Sequence, residues 1–138
     1  MRRQTLLLRF EPQATPPVGD PPRFDVKSGP GTITLLEGDS SWVPEEASYE
    51  THVAMTGETT FVEDGEIAFD GASLRVRTVG SGVIEPSAEE GAMQGSVIWQ
   101  VEGAGKLSGA TGLLSSNFEF QPERGSAVEH QIVRLFLP

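Results

Sequence analysis

The segment Gly103-Ala104-Gly105-Lys106-Leu107-Ser108-Gly109-Ala110-Thr111-Gly112 lies between two strand-like runs and has no helix to open. Ser96-Val97-Ile98-Trp99-Gln100-Val101 precedes it and Leu113-Leu114-Ser115-Ser116-Asn117-Phe118-Glu119-Phe120 follows, both rich in β-branched, aromatic or alternating residues. Glycines in that setting supply positive φ and close backbone approach within a strand-to-strand connection. The nucleotide readings fail on spacing. A phosphate-binding loop needs a glycine where Gln100 stands and a Ser or Thr where Leu107 stands, and the dinucleotide fingerprint needs a third glycine at Ser108.

Helix signals are nearly absent elsewhere. Strand candidates run Thr5 to Phe10, Gly31 to Leu36, Tyr49 to Val62, Glu66 to Asp70, Ser73 to Val79, Ser96 to Val101, Leu113 to Phe120 and Val128 to Leu137, with turn signals between them. Glu63-Asp64-Gly65 reads as a hairpin turn of the Asp-Gly type. The pattern predicts an all-β fold, an antiparallel barrel of about eight strands. The 138 residues fit one domain without staples. Within it, the Pro-rich piece from Pro12 to Pro22 cannot pair as a central strand and should cross the surface or cover one mouth as a lid.

Alternation assigns faces. Tyr49, Thr51, Val53, Met55, Gly57, Thr59 and Phe61 share the face expected inside, opposite Glu50, His52, Thr56 and Glu58. Val97, Trp99 and Val101 oppose Ser96, Ile98 and Gln100, while Leu114, Phe118 and Phe120 oppose Ser115, Asn117 and Glu119. The last strand is apolar on both faces: Val128, Ile132 and Phe136 alternate with Val133, Leu135 and Leu137, which suggests contact between subunits, as a homodimer or trimer.

Charge and composition exclude several functions. A formal net charge of −10 argues against nucleic acid, which is bound by clustered Lys and Arg. Ten carboxylates and no cation lie between Lys27 and Arg75, but without EF-hand spacing they read as a solvated acidic face. With no cysteine, thiolate chemistry is impossible and a cytoplasmic setting is allowed. His52 and His130 are the only histidines and neither sits at ligand spacing from a carboxylate, so no metal site is expected. No Gly-x-Ser-x-Gly elbow exists for a hydrolase triad. The opening Met1-Arg2-Arg3-Gln4-Thr5-Leu6-Leu7-Leu8 imitates a signal peptide, yet its apolar run stops at Arg9 with no cleavage site, and no run is long enough to span a bilayer.

The order of hairpin, Trp-bearing strand, Gly-x-Gly-x-x-x-Gly-Ala-x-Gly connection and final amphipathic strand resembles the small β-barrels grouped around allene oxide cyclase. Within that group the chain is most similar to the spirotetronate cyclases, through Val18-Gly19 to Arg23-Phe24-Asp25 with Gly29 and Gly31, Glu58 to Gly65 with Ile67 and Gly71, and Gly105 to Gly112. The resemblance implies a cofactor-free intramolecular Diels–Alder reaction on a polyketide-derived substrate, or an isomerase of the allene oxide cyclase type. It also implies a buried glutamate near the first strand, the place Glu11 occupies. Where spirotetronate cyclases carry several tyrosines, this chain has one, Tyr49.

A cyclisation fits the missing metal, nucleophile and cofactor, because it needs only a closed apolar cavity that holds the substrate near its attacking geometry. On that reading Tyr49, Val53, Met55, Trp99, Phe118 and Phe120 shape the cavity, and Glu11, Gln100 or Asn117 anchors a carbonyl or enolate. The same residues would serve a lipocalin-like binding protein for a small apolar molecule. A third possibility is a barrel whose interior is packed solid.

Overall fold

The computed structural model describes residues 2–138 and is all-β. Its strands are β1 (Arg2–Phe10), β2 (Gln13–Ala14), β3 (Arg23–Glu37), β4 (Glu46–Met55), β5 (Thr60–Phe69), β6 (Ala72–Thr78), β7 (Gly82–Pro86), β8 (Met93–Gly105), β9 (Thr111–Gln121) and β10 (Ser126–Leu137), with a 3₁₀ turn at Ser40–Trp42. Antiparallel pairing runs β1-β10-β9-β8-β6-β5-β4-β3, and β1 pairs in turn with β3, which closes an eight-stranded barrel. Closure leaves no long free edge. The short β7 continues the place of β6 between β5 and β8, and β2 lies along β3. No helix of the described residues is long and apolar enough to cross a membrane.

Two expectations from the sequence need correction. The run from Tyr49 to Val62 is two strands: the chain turns between them, closed by Thr56 N–H donating to Thr60 O at 2.9 Å and by the two threonine hydroxyls. Asp64-Gly65 is therefore no hairpin turn but the middle of β5, paired on one side with His52 and Thr51 and on the other with Arg77 and Val76. Ladder hydrogen bonds to two neighbours outweigh the local turn preference of Asp-Gly. The Pro-rich piece crosses the surface: Gln13 and Ala14 pair with β3, and Val18 bridges Arg23.

The barrel has a closed base and an aromatic mouth. At the base the connection from β8 to β9 folds inward, so that Leu107 and Ala110 are buried. Gly105 takes a φ of +63° there, which a side chain would strain. Gln4, also buried, ties down the neighbouring loop by exchanging hydrogen bonds with the backbone of Asp39, and Trp42 meets Phe69 edge-on. At the other end the register aligns Phe24 with Val53, Met55 with Phe61, and Met93 with Phe120. Gly82 and Gly95 make room for the rings of that rim: a Cβ on either would sit 2.3 Å or 2.4 Å from the ring of Phe61 or Phe118.

Between the two ends the interior is filled by side chains, with Leu6, Leu8, Ile67, Leu74, Trp99 and Leu114 wholly buried.

Candidate functional site

Below the aromatic mouth the barrel encloses polar groups. Period-two alternation carries Tyr49 and Thr51 inward from β4, Glu63 from β5, Ser116 from β9, and Glu129 and Gln131 from β10; all six are buried. Glu129 accepts three hydrogen bonds, from the Tyr49 hydroxyl on Oε1 and from the Ser116 hydroxyl and Gln131 Nε2 on Oε2. Glu63 hydrogen-bonds the Thr51 hydroxyl through Oε2. Among the described residues two buried side-chain atoms have no hydrogen-bond partner of good geometry, the indole Nε1 of Trp99 and Oε1 of Gln131. Phe10, Tyr49 and Trp99 pack edge-on around this group, with ring centroids 4.8 Å and 6.4 Å apart.

The electrostatics separate the two carboxyls. Burial, which penalises the charged form, pushes Glu63 up to about 8, and the nearby charge of Glu129 adds to it; the Thr51 hydroxyl and the indole N–H of Trp99 pull the other way. That N–H faces Glu63 without completing a well-formed hydrogen bond to it. Glu63 is thus a neutral carboxylic acid at pH 7, able to donate a proton. Burial also raises the Tyr49 phenol well above its ordinary value, and the charges of Glu129 and then Glu63 reinforce this, so Tyr49 stays a donor.

The expected cavity residues come together. Tyr49, Val53 and Trp99 are buried inside, and Met55, Phe118 and Phe120 are half-buried at the mouth, where Phe61, Phe118 and Phe120 form a chain of ring contacts. The expected polar anchors do not. Glu11, Gln100 and Asn117 are all exposed on the outside, because Gln100 and Asn117 have the opposite parity to Trp99 and Phe118 on their strands, and Glu11 follows the end of β1. His130 is likewise outside.

His52 does have a carboxylate partner, contrary to the sequence reading. Its Nδ1 lies 2.7 Å from Asp25 Oδ1, a neighbour across β3 and β4 that no sequence spacing shows. The hydrogen bond to Asp25 raises the His52 pKa. The surrounding outer wall carries a groove of about 830 Å³, bordered by Pro16, Val18, Ala54 and Val62. The Pro-rich piece borders this groove. No group of three or more His, Asp or Glu among the described residues is placed to hold a metal.

Glu63 escaped the sequence reading because the Asp-Gly signal assigned it to a turn. Glu129 and Gln131 were legible in principle: they share parity with Val133, Leu135 and Leu137, the inward face of β10.

Compared with known proteins, the chain matches no family model, no curated protein and no solved structure.

Proposed function

We propose that this barrel is a cofactor-independent cyclase that closes a ring in a polyketide-derived substrate by intramolecular [4+2] addition. The observation that carries the reading is Glu63, a neutral acid buried beneath a rim of aromatic rings and beside the unpartnered N–H of Trp99. Hydrogen bonds from these donors to a carbonyl conjugated with the reacting alkene would withdraw electron density and lower the barrier. They act more strongly in an enclosed apolar site than in water. The half-buried side chains at the mouth, Met55, Phe118 and Phe120, would fold the linear chain and select one face of addition.

Two further parts belong to this reading. Ile98, Leu113, Ile132 and Phe136 are exposed on the outer wall of β8, β9 and β10, which supports self-association as a dimer or trimer through that wall. A cytoplasmic setting fits a chain without cysteine.

The test is turnover of a synthetic linear triene bearing an alkene conjugated to a ketone, followed by chiral chromatography. The cyclase should give one stereoisomer faster than buffer does, and Trp99→Phe should slow it about tenfold, the worth of one neutral hydrogen bond. Tight binding without conversion would mean a carrier of the lipocalin kind. Conversion at the buffer rate with no binding would leave a filled structural barrel.

A further inference from the structure

Glu129 has no part in the ring closure, yet it is buried and three donors converge on it. Its Oε1 receives only the Tyr49 hydroxyl, so that oxygen keeps a lone pair for another proton. The two residues that grip the interior carboxyls, Tyr49 for Glu129 and Thr51 for Glu63, are successive inward positions of β4. The unpartnered Trp99 N–H and Gln131 carbonyl oxygen lie in the same interior, both on wholly buried residues. A free donor and a free acceptor are matched by a ligand that exchanges a carbonyl for an enol.

We propose that the same interior moves protons on enolisable carbonyl compounds, shifting a β,γ-double bond into conjugation, with Glu129 as base and Glu63 as acid. The activity rests on the reading that a carbonyl compound enters the barrel from the mouth, but not on ring closure. An α C–H bond of the ketone breaks and its proton goes to Glu129 Oε1. The electron pair moves into the carbonyl, whose oxygen takes the proton of Glu63. In the return step Glu129 delivers its proton to the γ-carbon and the enol O–H gives its proton back to Glu63. Both carboxyls end as they began, so no oxidant or cofactor takes part.

The groups that face Glu63 are Tyr49 and Thr51 from β4, Trp99 from β8 and Glu129 from β10, with Asp64 adjacent on its own strand. Since Glu63 must be protonated to act, isomerisation should fall as pH rises through about 8.

The test is conversion of cyclohex-3-enone carrying two deuterium atoms on the α-carbon between its carbonyl and alkene to its conjugated isomer by the full chain in ordinary water, read by ultraviolet absorbance and by deuterium at the γ-carbon of the product. The expected result is conversion above the buffer rate with deuterium carried from the α-carbon to the γ-carbon. Glu129→Gln and Glu129→Asp, the latter withdrawing the carboxylate by one methylene, should each lower the rate at least about 100-fold. Circular dichroism establishes that each variant is folded, and Glu129→Asp decides the matter if Glu129→Gln is not. Unchanged rates in the folded variants, or no deuterium at the γ-carbon, would overturn the proposal. Ring closure of the linear triene should survive Glu129→Asp; its loss together with isomerisation would make Glu129 a structural residue and also overturn the proposal. Isomerisation without ring closure would sink the cyclase reading and leave this one standing.

Discussion

At the scale of single residues, Glu63 sets the pH behaviour of the fold. Its folded pKa of about 8 lies above the ordinary glutamate value, so between the two the native state holds a proton that the unfolded chain has released. Stability from this group is full below about pH 4.5 and is lost as pH rises through about 8, the reverse of a salt-bridged carboxylate. The loss amounts to a few kcal/mol. Urea unfolding from pH 5 to pH 9 should therefore show wild type weakening with pH more than Glu63→Gln does, because glutamine keeps an acceptor for Thr51 but has no charge to bury. Parallel curves for the two proteins would mean that Glu63 ionises freely in the fold. Leu107 gives a second residue-scale expectation. It plugs the base and is buried, so Leu107→Ala should cost about 2–4 kcal/mol by calorimetry or urea titration.

At the scale of elements, the strands were readable where alternation was unopposed. Trp99 and Val97 in β8, and Leu114 and Phe118 in β9, face inward as period two requires. Of the glycine-rich segment only Lys106 to Ala110 connects strands, while Gly103 to Gly105 end β8 and Thr111 and Gly112 open β9; no helix forms there. Reading failed where a local signal competed with a long-range one. Asp64-Gly65 has the chemistry of a turn, but its partners His52, Thr51, Arg77 and Val76 come from the strands on both sides, β4 and β6, and pairing with both holds it extended. That one misreading hid Glu63. The polar anchors failed for a related reason: Gln100 and Asn117 are attractive by residue type, whereas parity had already sent them outside. The rim glycines yield a prediction at this scale. Gly82→Val would drive a side chain into the ring of Phe61, so it should destabilise by about 1–3 kcal/mol and displace the rim, with slower turnover of the linear substrate. Unchanged turnover would show that the rim does not shape the substrate.

For the whole molecule, barrel closure is what makes the interior chemistry available. Two glutamates on β5 and β10, far apart in sequence and on opposite sides of the sheet order, share one enclosure only because β1 pairs with both β10 and β3. The outer wall bears the apolar residues Ile98, Leu113, Ile132 and Phe136, and sedimentation should show an oligomer that Ile132→Lys weakens. The proton that burial keeps on Glu63 is the quantity on which the account turns. Carbon-13 NMR of the side-chain carboxyls in glutamate-labelled protein, followed from pH 4 to pH 10, reads it directly. The predicted result is one carboxyl titrating with a midpoint near 8 and missing from Glu63→Gln. Titration of every glutamate carboxyl below about pH 5, in the ordinary range for such groups, would contradict the account.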